Sequence, residues 1–213
     1  MIAQVIQGDY YSSVDRDQVE LHTQALICVD QQGIIDRIVE PGDRDYAGIV
    51  QQAQREGRLI KAADDQVILP GFIDLHVHAP QWPNAGLALD LPLEDWLQHY
   101  TFPLEAKYRD PAFAEQVYPT LVQELLNNGT TTVLFFGTIH NQANLILARE
   151  CMRQGLRSLI GRVAMDNPDQ TPAFYRDESS ETAIEDTESF IHQLTDLGSG
   201  NTLAPIPVIT PRF

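Results

Sequence analysis

Strand-like and helix-like segments alternate from residue 67 onward, and this alternation constrains the fold more than any other feature of the sequence. Strand-like runs, rich in β-branched, aromatic and other apolar residues, cover 67–77, 130–136, 156–165 and 203–210. Helices are predicted over 111–128, 141–154 and about 180–197, the first two with Asp110 and Asn141 as N-caps and with Gly129 and Gly155 as stops. Strands joined by crossover helices build a parallel sheet, so this α/β segment is either a doubly wound sheet or half of a (β/α)8 barrel.

The first of these strands favours the barrel. In FIDLHVH at 72–78, apolar and polar residues alternate, which places Ile73, Leu75 and Val77 on one face and Asp74, His76 and His78 on the other. In a barrel the apolar face meets the outer helices, and the chemistry lies at the C-terminal ends of the strands. Two neutral imidazoles at this spacing aim at a common point, as zinc ligands do. The HxH spacing alone is a weak motif, but two polar rings on an otherwise buried strand cost free energy unless something such as a cation binds them.

The sequence before residue 68 has a different pattern. Short β-like runs at 3–6, 24–29 and 34–39 predict a small β-domain, and the last two runs are joined by the turn Asp30-Gln31-Gln32-Gly33. Residues 41–66 are rich in Gly, Asp, Gln and Arg, which is typical of a linker or an irregular surface stretch. The sequence therefore predicts an N-terminal β-domain over 1–68 and the α/β segment over 69–213.

The charge and the cysteines narrow the classes of partner. Thirty acidic and 14 basic residues give a formal net charge of −16, which repels phosphate backbones and anionic lipid heads, so nucleic acid and membrane partners are not expected. Cys28 and Cys151 lie far apart and form no CxxC motif, which argues against a disulfide framework or a cysteine zinc site. No signal-peptide pattern opens the chain. A cytoplasmic protein is the expectation.

Four stretches carry a specific resemblance. LPGFIDLHVH at 69–78 resembles the first barrel strand of the amidohydrolase superfamily, and APQWPNAG at 79–86, TFPLEA at 101–106 and TPRF at 210–213 resemble its guanine deaminase family. The resemblance implies a metal-dependent-hydrolase (β/α)8 barrel, flanked by a β-sandwich of which residues 1–68 form the N-terminal part. It also implies one zinc ion, a homodimer, and hydrolytic deamination of guanine to xanthine and ammonia by a zinc-activated water.

Five residues match functional positions of that family. His76 and His78 match the first two zinc ligands, Gln81 matches a substrate-contacting amide, and Arg212 and Phe213 match residues that hold the purine. The chemistry fits these roles, because an arginine fork can engage the acceptor edge of guanine and an aromatic ring can pack on its face. Taken without the resemblance, Gln81 could instead cap a turn, Arg212 could pair with a surface carboxylate, and Phe213 could belong to the core.

The resemblance also says what this stretch of sequence does not contain. Family members continue beyond the position of Phe213 with two further histidines, an aspartate ligand and a proton-shuttling glutamate. The chain is therefore expected to be an N-terminal half, with the first four βα units, no catalytic acid or base, and no activity on its own. Two alternatives stay open: an amidohydrolase for another ring, of the triazine, pterin or cytosine type, or a non-catalytic module derived from the fold.

Overall fold

The computed structural model describes residues 2–211, and the chain divides between Pro70 and Gly71 into two compact units. The first unit contains β1 (Ile2–Ser13), β2 (Val19–Asp30), β3 (Ile35–Val39), α1 (Tyr46–Arg55), β4 (Leu59–Lys61) and β5 (Val67–Ile68). Its strands form one mixed sheet in the order β3-β2-β1-β4, with β5 also paired to β1. β1, β2 and β3 are antiparallel neighbours, whereas β4 and β5 run parallel to β1.

The predicted turn between β2 and β3 is confirmed. The Asp30 carboxylate accepts hydrogen bonds from the backbone N–H groups of Gln32 and Ile34, each at 2.9 Å. Gly33 adopts a φ of +79°, which side-chain-bearing residues rarely adopt. The turn chemistry of Asp and Gly thus sets the hairpin.

The prediction of an irregular stretch at 41–66 is wrong, because this stretch contains α1 and β4. The apolar residues of α1 recur at helical spacing and pack on one face of the sheet: Tyr46, Ile49, Val50 and Ala53. They meet a buried cluster formed by Val5, Leu26, Cys28 and Val39. Polar residues between these positions mask the stripe in the sequence, and tertiary packing decides the conformation.

The second unit contains β6 (Phe72–His78), α2 (Leu93–Trp96), α3 (Phe102–Glu105), α4 (Pro111–Asn127), β7 (Thr130–Phe136), α5 (Asn141–Gln154), β8 (Arg157–Ala164), α6 (Ser180–Gly198) and β9 (Ile206–Pro211). The four strands pair in parallel in the sequential order β6-β7-β8-β9. One core contains residues of α4, α5 and α6 together with Val133, Phe135 and Ile160 of the sheet. Helices on one face and a strand order without reversal are features of a barrel, not of a doubly wound sheet.

The helix ends follow the sequence with one exception. Asp110 caps α4 by accepting a hydrogen bond from Ala112 N at 3.0 Å, and Gly155 ends α5 with a φ of +90°. Asn141 is not the cap of α5 but its first residue, behind His140. Its side chain instead accepts from Arg162 Nε at 3.1 Å and donates to the Asp186 carbonyl at 2.9 Å, so long-range partners outcompete the local cap.

The single strand predicted over 67–77 is two strands, β5 and β6, which pair in different sheets. Pro70 lies between them and has no N–H to donate to a ladder. Among the described residues of this incomplete barrel, Ile73 and Leu75 are 66% and 62% exposed. β6 is an edge strand of the sheet in the part of the chain that the structure describes, and only Val77 packs against the core.

Two further features concern the chain's setting. Between residues 2 and 211, no helix is long and apolar enough to cross a membrane. Cys28 and Cys151 are both buried free thiols, and burial raises the pKa of Cys151 to about 12. Such a thiol stays protonated and unreactive at neutral pH.

Candidate active site

The two predicted metal ligands converge at the C-terminal end of β6. The Nε2 atoms of His76 and His78 lie 3.2 Å apart. Two nitrogen ligands on one tetrahedral zinc, each at about 2.0–2.1 Å, are separated by about 3.3 Å, so the pair has the spacing that such an ion requires. Within residues 2–211 no cluster of three or more His, Cys, Asp or Glu side chains could hold a metal ion.

A local irregularity in β6 sets the orientation of these histidines. The pairing of β6 with β7 shifts register between Asp74 and Val77, as at a β-bulge. The backbone N–H of His76 donates to Asp74 Oδ1 at 3.0 Å. Asp74 therefore orders the strand at the first histidine.

An aromatic ring supports both imidazoles from the neighbouring strand. Phe136, the last residue of β7, stacks on His76 at a centroid distance of 4.4 Å and on His78 at 4.8 Å, with interplanar angles of 27° and 26°. Offset ring contacts of this kind contribute about 0.5–1.5 kcal/mol each. The sequence analysis assigned Phe136 no role, although its place at the end of a barrel strand was a usable signal.

A cleft of about 330 Å³ opens beside the histidines. Val77 of β6 and Leu121 of α4 form two of its other walls. The remaining lining residues belong to the connection between β6 and α3: Gln81, Trp82, Asn84, Ala85, Gly86, Leu89 and Trp96. Two hydrogen bonds hold this connection, from Asn84 Nδ2 to the Tyr100 carbonyl and from Trp96 Nε1 to the Leu87 carbonyl, each at 3.0 Å. The cleft is mostly apolar with a few polar groups, which is the usual composition of a small-molecule site.

Gln81 lies in this cleft and is held from behind by a buried carboxylate. Its Nε2 donates to Glu105 Oε1 at 2.8 Å, and Glu105 at the end of α3 is fully buried. Burial raises the pKa of the Tyr108 hydroxyl, and the charge of Glu105 raises it further. The sequence analysis missed Glu105, although its spacing of three from Phe102 and from Tyr108 marks it as an inward position of that helical segment.

His140 lies between the end of β7 and the first residue of α5. Its Nε2 is buried without a hydrogen-bond partner, and its ring contacts Tyr175 edge-on at 5.8 Å. Burial, with the positive charges of Arg109 and Arg162, lowers the pKa of His140 to about 4. His140 is not among the residues that line the cleft.

The structure thus brings together three of the five predicted site residues, His76, His78 and Gln81. Arg212 and Phe213 lie outside the described residues. Asp166, two residues after the end of β8, lines a separate groove of about 460 Å³ with residues of α6 and Ile209.

Comparison with known proteins decides the family. The sequence pattern of the Amidohydrolase family matches residues 67–210, which include all four parallel strands of the second unit. The chain belongs to the amidohydrolase family. The predicted barrel class is therefore confirmed, and the described part of this amidohydrolase contains strands of an incomplete barrel.

Several proteins to which this amidohydrolase is similar are guanine deaminases. It is 36% identical to the guanine deaminase of Dictyostelium discoideum over 219 residues, which cover 100% of this chain and 47% of the relative. A crystal structure of guanine deaminase from C. acetobutylicum with bound guanine in its active site superposes with a TM-score of 0.83 and 29% identity, over 99% of this chain and 46% of that one. A triazine hydrolase from Arthobacter aurescens reaches a TM-score of 0.76 at 16% identity, over 99% and 46%, a likeness that concerns the fold alone. The chain spans about half the length of the curated relatives it matches.

Proposed function

We propose that the whole protein, meaning the complete product of the gene that encodes this chain, hydrolyses guanine to xanthine and ammonia. The observation that carries the proposal is the meeting of the histidine pair and Gln81 in one cleft. The resemblance of the chain to guanine deaminases over its whole length supports the choice of guanine over another heterocycle.

His76 and His78 are proposed to provide two ligands of a zinc ion. Neutral imidazole nitrogens suit zinc, and the 3.2 Å separation of the two Nε2 atoms fits one ion. Without an ion, the same two nitrogens are within hydrogen-bonding distance of each other. When bound in such enzymes, zinc supplies the acidity that turns a water ligand into a nucleophile near neutral pH.

The residues of this chain orient the two reaction partners. Phe136 and Asp74 hold the imidazoles in place before an ion binds, so less conformational freedom is lost on binding. Gln81 is proposed to hydrogen-bond the purine. Arg212 and Phe213 are proposed to engage its acceptor edge and its flat face. The apolar walls around Trp82 and Trp96 keep bulk water from the ring.

The charge and the cysteines of the chain support proposals about its partners and its location in the cell. A net charge of −16 suits a protein whose ligand is a small neutral base and whose partners are not nucleic acids or anionic membranes. Two buried free thiols suit the cytoplasm. The whole protein is proposed to work as a homodimer.

The test is to purify the whole protein with zinc and to follow the conversion of guanine to xanthine together with ammonia release. We expect turnover in the wild type and in His192→Ala, which removes an exposed histidine of α6. Loss of turnover is expected in His76→Ala and in His78→Ala, with the fold retained as judged by circular dichroism. Absence of xanthine in the zinc-loaded wild type would contradict the proposal. So would full stoichiometric zinc in a protein that carries both His76→Ala and His78→Ala.

A further inference from the structure

The contact between Gln81 and Glu105 has a fixed polarity. Gln81 belongs to the 3-10 turn Ala79–Asn84, whereas Glu105 is the last residue of α3, 24 residues further along the chain. The nitrogen of the Gln81 amide faces a carboxylate oxygen at 2.8 Å. Ionised carboxylate oxygens only accept hydrogen bonds, so the reversed amide would place two acceptors against each other.

Burial makes this polarity strong. Glu105 has no exposed surface, and a hydrogen bond in such low-dielectric surroundings is electrostatically stronger than one in water. An amide that could rotate would present either its oxygen or its NH2 group to the cleft, because the two ends have nearly the same shape. With its nitrogen held toward Glu105, the other end of the Gln81 amide is its carbonyl oxygen.

We infer that Glu105 is a positioning residue, which fixes Gln81 so that Oε1 is the acceptor presented to the cleft. The ligand is then a ring that offers an N–H donor at this point, as guanine does through its ring N–H and exocyclic amine groups. The inference rests on the proposed function for the identity of this ring. The orientation of the amide, in contrast, follows from the Gln81–Glu105 contact alone.

The functional test uses the whole protein and an exchange of the two residues. Glu105→Gln allows the facing amides to pair in either polarity, and we expect the KM for guanine to rise by about 10- to 100-fold, with kcat less affected. In the double variant Gln81→Glu with Glu105→Gln, the hydrogen bond is reversed, because residue 105 now donates and residue 81 accepts. An oxygen of residue 81 still faces the cleft. The double variant should bring KM back to within about fivefold of the wild type. Glu94→Gln, an exposed glutamate of α2, is the matched control and should leave KM unchanged.

A purely structural role for Glu105 predicts a different pattern, because the double variant would then be at least as impaired as Glu105→Gln alone. That result would overturn the inference. So would a Glu105→Gln variant with the KM of the wild type.

A second measurement separates this inference from the proposed function. In the ¹⁵N-labelled whole protein, the side-chain amide signal of Gln81 is identified by its loss in Gln81→Ala. One of its protons should resonate downfield and exchange slowly, and this signature should disappear in Glu105→Gln. A Gln81 signal that Glu105→Gln leaves unchanged overturns the inference even if guanine is deaminated. A changed signal in a protein that does not deaminate guanine leaves the amide orientation standing and refutes the proposed function.

Discussion

Replacing Phe136 with leucine should weaken zinc binding without touching a metal ligand. The ring of Phe136 stacks on both imidazoles, at 4.4 and 4.8 Å, and so restricts both side chains before an ion arrives. Immobilising a side chain on binding costs about 0.5–1.5 kcal/mol, so loss of preorganisation at two histidines costs about 1–3 kcal/mol. At 1.4 kcal/mol for each factor of ten, the zinc dissociation constant should rise by about 5- to 150-fold.

The assay is competition for zinc between the 213-residue chain and a chromophoric chelator, with Leu134→Ala as control. Leu134 lies two residues before Phe136 on the same face of β7 and is partly buried, so its replacement removes apolar contacts but no stacked ring. Both variants should keep the circular dichroism spectrum of the wild type. The reasoning is refuted if Phe136→Leu binds zinc as tightly as the wild type, or if Leu134→Ala weakens binding equally.

Further predictions concern the buried charges and the rest of the site. Asp177→Ala removes the carboxylate 2.5 Å from Arg162, whose side chain is 1% exposed, but leaves it the half-exposed Asp186 at 3.3 Å, so urea unfolding should show a loss of about 1–3 kcal/mol, against less than about 1 kcal/mol for Glu150→Ala at the more exposed ion pair with Arg153. Because the pKa of His140 is lowered to about 4, the unfolded chain binds more protons than the folded one between that pH and about 6.5, and stability should fall as pH falls through this window. His140→Gln should remove about 1–2 kcal/mol of this dependence, since partial exposure of the ring reduces the full effect of about 3 kcal/mol; an identical pH profile would contradict the burial argument. Arg212→Ala in the whole protein should lower kcat/KM for guanine by the equivalent of about 1.5–3 kcal/mol, and an unchanged value would reject its role. The 213-residue chain alone, with zinc added, should not release ammonia from guanine, and turnover within about tenfold of the whole protein that a His76→Ala blank abolishes would show that two ligands suffice.

Features with a short sequence range were predictable. The alternation in 72–78 placed His76 and His78 on one face, and the structure brings their Nε2 atoms to 3.2 Å. Asp110 and Gly155 marked helix ends because capping depends on a few neighbouring residues. The parallel pairing of the strands followed from the alternation of strands and helices.

Features that depend on distant partners were not predictable. Helix α1 forms because its apolar stripe meets strands β1 to β3, and its polar composition hid that stripe. Asn141 lost its capping role to Arg162 and Asp186, both more than 20 residues away along the chain. Glu105 became part of the site only through Gln81, which no local pattern links to it.

The central claim is that His76 and His78 hold one zinc ion at the cleft. It is tested most directly by crystals of the zinc-loaded whole protein, with diffraction data collected on both sides of the zinc absorption edge. The account predicts one anomalous peak at about 2.0–2.1 Å from the Nε2 atoms of both histidines. A map in which these two nitrogens share a hydrogen bond at 3.2 Å, while the zinc peak lies elsewhere in the molecule, would contradict it.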